Sequence, residues 1–316
     1  MKVGIIGAGL AGLMAGRALA EAGHDVVLWD KGRSPGGRLA TRRIGAARLD
    51  HGAQFFTVRS DQYARHVAGW EADGIVREWC RGFGETADGH PRYAAPAGMN
   101  SIAKHLALGL DVRCPSLVFS IHRIDGPQRW QVRLDDATTT DVDALIVTCP
   151  LPQTFSLLMS AEVTMPEALW RTQYDTTLSL LAVLDRAGAV RPPGGIQTDP
   201  NFTFIGDNVA KGLSTVPALT LHAAPAWSDA HWDDDPTIAH DLLVELAHPY
   251  LGDATIVESQ LKRWRFATPR TIWPDPCWSP DGDSSIVVAG DAFAGPRMEG
   301  AALSGLAAAA ALAGTP

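Results

Sequence analysis

Cysteine is scarce in this chain and poorly placed for chemistry. Cys80, Cys114, Cys149 and Cys277 are its only four, and no two form a C-x-x-C pair. That spacing excludes a zinc knuckle, supplies no disulfide framework and points to a reducing, cytoplasmic setting. Each is expected to be a small buried apolar group rather than a reactive thiol. Basic charge is also short: 27 Lys and Arg stand against 35 Asp and Glu, a net charge of −8. With no basic stripe to neutralise phosphates, nucleic acid is not an expected partner. The longest apolar run, the alanine-rich 301–314, is too short to span a bilayer and carries Ser and Gly, so no membrane association is expected. No protein partner is evident. Neither paired carboxylates nor a Ser/His/Asp set nor a metal-ligand cluster stands out, so no metal site is expected.

The 316 residues, 46% of them hydrophobic and 20% charged, suit two ordinary soluble domains or one large domain with an insertion. The start, "MKVGIIGAGLAGLMAGRALAEAGHDVVLWDKG", resembles an export signal at first sight, with Lys2 ahead of an apolar run. Arg17 interrupts that run, and Gly7, Gly9 and Gly12 suit a helical signal core poorly. Instead "KVGII" reads as a buried strand, "LAGLMAGRALAEAG" has helical apolar spacing, and "HDVVLWD" is a second strand closing on Asp30. The hexad G-A-G-L-A-G therefore sits where a dinucleotide fingerprint requires it, between a strand and a helix. Gly7 allows the tight turn, and Gly9 lets a pyrophosphate approach the backbone. Gly12 and Gly16 press the helix onto the sheet. The helix N-terminus offers unpaired N–H groups to the phosphates. Asp30 is placed to accept from the adenosine ribose hydroxyls and disfavours a 2′-phosphate.

A second glycine loop follows at once, "KGRSPGGRLATRR". It resembles the R-x-G-G-R signature of flavoenzymes related to amine oxidases, with Gly36 and Gly37 admitting the cofactor and Arg38 pairing with its pyrophosphate. Arg33 stands one residue early, so only Arg38 carries over; Lys31 lies beside the ribose carboxylate. The far end supplies "SSIVVAGDAFAGPRMEGAALSGLAAAAALAG", a strand, an Ala-Gly-Asp turn, a glycine-bearing loop and an Ala-rich helix. In those flavoproteins the aspartate, here Asp291, holds the ribitol chain or a phosphate-side hydroxyl. The helix beginning near Gly300, with Glu299 and Ala301, points its positive end at the flavin pyrimidine. "DALIVTCP" (143–150) resembles the strand beneath the dinucleotide, although any buried parallel strand reads alike. The cofactor so implied is non-covalent FAD.

Three further stretches resemble renalase and its bacterial relatives. "LDHGAQFFT" (49–57) matches a flavin-side segment and assigns Gln54 and Phe55 to the cofactor; "YAAPAGMNSIAKHL" (93–106) matches a loop entering a helix over it. "LTLHAAPAWSDAHWDDDP" (219–236), with "LKRWRFATP" (261–269), matches the substrate half. The resemblance implies an α/β fold: a Rossmann-type FAD-binding domain, of the kind seen in amine oxidases and p-hydroxybenzoate hydroxylase, with an inserted α+β substrate domain. It implies oxidation of 2- or 6-dihydro isomers of NAD(P)H, with hydride passing to flavin N5 and dioxygen restoring the flavin as hydrogen peroxide forms. A hydride leaving a dihydropyridine needs no base, because aromatisation drives it.

A flavin amine oxidase or desaturase of the same fold remains open, as does a non-catalytic, redox-responsive FAD protein. Amine oxidases usually place a lysine near the flavin. Lysine here is confined to Lys2, Lys31, Lys104, Lys211 and Lys262, and the last two, in the substrate region, have no recognisable context. His222 is the expected catalytic residue of the substrate side, against the alternative of a core histidine. Arg263 and Arg265 are candidates for substrate phosphates, and Trp227, Trp232, Trp264, Trp273 and Trp278 for an aromatic lining or for core. The expected FAD domain comprises 1–57, 91–150 and 280–316, and the expected substrate domain 58–90 and 151–279. "DDDP" (233–236) reads as a helix start rather than a metal site.

Overall fold

The computed structural model describes residues 1–84, 87–126 and 129–314. They form two compact units. The first comprises Met1–Gly37, Ala103–Gln173 and the chain from Pro269 onward; the second comprises Arg38–Ile102 and Tyr174–Thr268.

In the first unit, four near-continuous apolar runs make strands buried on both faces, the pattern that parallel sheets require. The sheet runs in the order Ile286–Val288, Ala144–Val147, Lys2–Ile6, Asp25–Trp29, Asp111–Arg113, and every pairing is parallel. The helix Leu10–Glu21 connects the first two strands in sequence and buries Leu13, Met14 and Leu19. The C-terminal helix Met298–Ala313 packs directly on it: a Cβ at Gly305 would lie 2.1 Å from the carbonyl oxygen of Ala11, so only glycine allows this approach. A three-stranded antiparallel sheet of Val118–Arg123, Trp130–Leu134 and Thr139–Val142 completes the unit.

The second unit is built on a five-stranded sheet, ordered Gly195–Ile196, Phe202–Asp207, Ala218–Ala223, Tyr174–Leu184, Ile256–Pro269. Helix Pro236–Leu251 buries Ala239, Leu243, Ala247 and Leu251 in the core formed with Leu178, Leu180, Phe202 and Leu221. "DDDP" is its start: the Asp235 carboxylate accepts from Thr237 N at 2.8 Å, and Pro236 takes the first helical position.

The compact units follow different boundaries from the domains expected above. Residues 38–57 and 91–102 pack in the second unit, because the hairpin Thr41–Ile44/Ala47–Asp50 buries Ile44, Ala47 and Leu49 against Leu181 and Ala218. Residues 151–173 and 269–279 pack in the first. There Ser160 Oγ donates to Ile121 O (3.1 Å) and Trp273 N donates to Ala292 O (2.8 Å). Among the described residues no helix is long and apolar enough to cross a membrane.

Candidate functional site

In the first unit the three fingerprint glycines do different work. Gly7 has φ +104°, and a Cβ there would lie 2.5 Å from Thr148 Oγ1. That hydroxyl is occupied with Ile6 O (3.0 Å) and Gly7 O (3.1 Å). A Cβ on Gly12 would lie 2.0 Å from Gly7 O, so the helix closes on the turn only with glycine present. At Gly9 a Cβ would meet nothing within 4 Å. Of the three, Gly9 alone faces open space, as close approach of a phosphate demands. It also caps the helix without a side-chain hydrogen bond, leaving first-turn N–H groups for an anion.

The second glycine loop folds back onto this turn. Gly9 and Gly36 form an isolated parallel bridge, and Gly36 N donates to Ala8 O at 2.8 Å. Gly37, at φ +53°, would place a Cβ 3.5 Å from Gly9 Cα. Asp30 is fixed by two backbone donors, Ala8 N on one carboxylate oxygen (2.8 Å) and Gly32 N on the other (2.7 Å). Each oxygen keeps lone-pair capacity for a ribose hydroxyl. Lys31, beside it, is exposed. Desolvation pushes the Cys149 thiol up to about 12, with Asp30 adding to the rise, although all four cysteines are half-buried rather than buried as expected.

At the far end Asp291 follows strand Ile286–Val288, and Ser304 Oγ accepts from Gly290 N at 2.9 Å. The helix begins at Met298, two residues before Gly300, with Glu299 buried in its first turn. A Cβ on Gly300 would lie 2.1 Å from Gly295 O, and Ala301 N donates to Arg297 O at 3.0 Å. Arg297 caps the helix without a side-chain hydrogen bond.

In the second unit the cofactor candidates Arg38, Gln54 and Phe55 and the catalytic candidate His222 occur with partners that the sequence does not supply. Arg38 Nη1 donates to Phe266 O (3.3 Å) and Ala267 O (3.2 Å). The centre of the arrangement is Asp50, at the end of the hairpin. Its fully buried carboxylate accepts from Lys211 Nζ (2.6 Å), Thr41 Oγ1 (2.5 Å) and Met99 N (2.9 Å). Its carbonyl oxygen accepts from Gln54 Nε2 (2.7 Å) and Thr220 Oγ1 (3.0 Å). Gln54 Nε2 also reaches Gly52 O (3.2 Å) and His222 Nε2 (3.2 Å).

Both histidines here are held neutral. Burial lowers His222 to about 3, and His51 and Lys211 push the same way. Burial lowers His51 to about 4, with Lys262 helping and Asp50 opposing. The His51 ring stacks on Trp264 (5.4 Å between centroids, 22° between planes), whose Nε1 donates to His51 O at 2.6 Å. His51 Nδ1 and Gln54 Oε1 are buried without a partner among the described residues.

Four rings close one side of this cluster: Phe55, Trp79, Phe83 and Phe204, with the shortest centroid distance 5.1 Å, between Trp79 and Phe83. Lys211 Nζ lies 5.9 Å from the Trp79 ring centroid. Of the tryptophans in 227–278 only Trp264, stacked on His51, is seen in this cluster among the described residues, and the four-ring group comes from elsewhere. Trp227 and Trp232 pack on the core, and Trp273 and Trp278 belong to the first unit. Arg263 is engaged with Trp232 through its ring face and carbonyl oxygen, whereas Arg265 is exposed. The Lys211–Asp50 pair is what the sequence does not reveal. Asp50 opens the "DHGAQFF" stretch that resembles a flavin-side segment, but "NVAKG" gives no signal, because a lysine beside a glycine in a turn reads as solvated.

Comparison with known proteins places these features. A family profile described as flavin containing amine oxidoreductase matches residues 70–313, and one described as NAD(P)-binding Rossmann-like domain matches residues 5–69. The chain is similar in structure to cyclohexylamine oxidase from Brevibacterium oxydans IH-35A, with TM-score 0.70, 14% identity, and coverage of 99% of this chain and 98% of that one. It is also similar to a putrescine oxidase solved with putrescine bound, with TM-score 0.73, 15% identity and 99% of both chains covered. A hydroxyneurosporene desaturase from Rubrivivax gelatinosus is 41% identical over 58 residues, 18% of this chain and 11% of that protein's length. FAD is the cofactor, and the open space at Gly9 and the anchored Asp30 carboxylate fit its pyrophosphate and ribose.

Proposed function

The chain belongs to the flavin containing amine oxidoreductase family, and from that premise we propose that it oxidises 2- or 6-dihydro isomers of NAD(P)H to NAD(P)+. Bound FAD would accept the hydride, and dioxygen with one proton would then restore it and leave as hydrogen peroxide. The observation carrying this reading is the electrostatic state of the Asp50 cluster. Its carboxylate is neutralised by Lys211, and His51 and His222 are held far below the range of a working base. A reaction needing proton abstraction from carbon is poorly served there. Hydride departure from a dihydropyridine needs only orientation and exclusion of water, which buried, mutually bonded side chains supply.

The protein's own residues take limited parts in this scheme. Gly9 admits the pyrophosphate, Asp30 holds the ribose, and Arg38, Gln54 and Phe55 serve the cofactor. His222 donates a hydrogen bond to the substrate. Substrate and dioxygen are the only partners in this reading, and its setting is the cytoplasm.

A second reading, amine oxidation, is favoured by one observation: a buried lysine near the Trp79 ring, itself packed on Phe55, Phe83 and Phe204. Peroxide release with dihydronicotinamide isomers, set against a panel of primary amines, separates the two. Turnover confined to amines overturns the first.

A further inference from the structure

We infer that Gln54 is a positioning residue that locks His222 in the tautomer protonated at Nδ1, so that His222 meets its ligand as a fixed hydrogen-bond donor and selects a carbonyl-type acceptor over an ammonium group. The assignment of His222 to the substrate rests on the function proposed above; the tautomer does not.

The Gln54 amide has one orientation here. Its nitrogen and oxygen differ only in what they can bond, so the neighbours decide which is which. The atom assigned as Nε2 lies 2.7 Å from Asp50 O and 3.2 Å from Gly52 O, two carbonyl oxygens that can only accept. With the amide flipped, Oε1 would face both of them with no hydrogen between. The –NH2 group therefore points at the carbonyls. The same nitrogen is 3.2 Å from His222 Nε2, its two hydrogens being shared among these three acceptors; an amide nitrogen accepts nothing, so a ring N–H at Nε2 would face no acceptor and that ring atom carries a lone pair. A neutral imidazole has one proton, which is left on Nδ1.

The Asp50 carbonyl is itself held. It also accepts from Thr220 Oγ1 at 3.0 Å, and Thr220 lies two residues before His222 on the same strand. The amide and the ring are thus referenced to one backbone oxygen. An imidazolium is disfavoured twice over: the Gln54 –NH2 faces Nε2, and the Lys211 ammonium opposes a further positive charge. Across the sheet His222 is paired with Ser179 on one side and Phe204 on the other, neither of which carries charge. His222 Nδ1 has no hydrogen-bond partner among the described residues, and the side chain is only partly buried. A ring presenting N–H there satisfies a carbonyl oxygen, such as that of a carboxamide. It offers an ammonium no lone pair.

The test is nitrogen NMR of the FAD-loaded protein labelled at histidine with 15N, with His222→Asn used to assign the signals. The expected spectrum at neutral pH has the Nε2 of His222 unprotonated and Nδ1 protonated. Gln54→Leu is expected to free the ring, so that the two nitrogen signals move towards each other as both tautomers populate, and to lower kcat/KM about tenfold, one hydrogen bond's worth. Titration with nicotinamide should move the Nδ1 signal, and titration with n-butylamine hydrochloride should not. A protonated Nε2 in the wild type, or an Nδ1 response to the amine alone, overturns the inference. The wild-type spectrum needs no variant to fold and no turnover to occur. Failure of every dihydronicotinamide as substrate would therefore sink the proposed function and leave the tautomer standing, and the reverse result would do the opposite.

Discussion

Lys211 and Asp50 form an ion pair at 2.6 Å with 1% and 0% of their side-chain surfaces exposed, joining positions 161 residues apart. Burial lowers the Lys211 ammonium from its ordinary value, and the Asp50 carboxylate opposes that fall. Removing either partner alone leaves a charge buried without compensation. Lys211→Met is therefore expected to destabilise the protein by about 3–5 kcal/mol, and the double variant Asp50→Asn/Lys211→Met by clearly less than the two single changes summed. Urea midpoints of the three variants check this. Simple additivity would show that the pair does not act as a unit.

The fingerprint glycines give a prediction that separates folding from cofactor binding. A methyl group at Gly9 meets no protein atom, and the backbone there (φ −75°, ψ −176°) suits alanine. Gly9→Ala should fold normally yet lose bound FAD, because the methyl group fills the space meant for phosphate. Gly12→Ala puts a methyl group 2.0 Å from Gly7 O and should lose several degrees of melting temperature even without cofactor. Thermal melts and visible absorbance of the two proteins decide it; a yellow, FAD-loaded Gly9→Ala protein would contradict the assignment.

The two depressed histidines set a pH dependence. His51 and His222 are depressed to about 4 and about 3, below the ordinary 6.5, so the unfolded chain binds their protons first as pH falls. Stability from these groups is intact above pH 6.5. Each then loses up to about 1.4 kcal/mol per pH unit as pH falls towards its folded value. Denaturant midpoints between pH 7 and pH 5 should fall more steeply for the wild type than for His51→Asn. Equal slopes would mean that His51 titrates normally in the fold.

His222→Ala should retain FAD and slow reduction of the flavin by substrate about tenfold or more, the effect of losing one orienting hydrogen bond. Single-turnover absorbance reads the rate, and the resting spectrum reads the FAD content. Unchanged kinetics would return His222 to the status of a core residue.

The dinucleotide half was legible because its signals are local. Strand, turn, helix and second strand lie within residues 2–29, and each glycine's role follows from the turn it occupies. The C-terminal strand and helix were legible for the same reason, with the start displaced from Gly300 to Met298. The Asp50 cluster was not. It is assembled from a hairpin end, a turn and a strand far apart in sequence, and a lysine in "NVAKG" shows nothing of its burial until the fold encloses it. Which tryptophans of 227–278 line the cluster and which pack in the core was not legible, because density along the chain says little about proximity: Trp264 stacks on His51, whereas Trp227 and Trp232 pack on the core. Phe55, Trp79, Phe83 and Phe204 meet through sheet pairing and loop closure. Gln54 and His222 were each singled out by resemblance, but the hydrogen bond between them, across 168 residues, is a product of the fold.

In the proposed reaction the bound flavin takes a hydride from a dihydronicotinamide isomer. Anaerobic mixing of the FAD-loaded protein with 2-dihydro, 6-dihydro and ordinary NAD(P)H, followed by the flavin's visible absorbance, tests it most directly. Rapid bleaching by the 2- or 6-dihydro form and much slower bleaching by ordinary NAD(P)H are expected. No bleaching by any isomer, with bleaching by a primary amine, would contradict it.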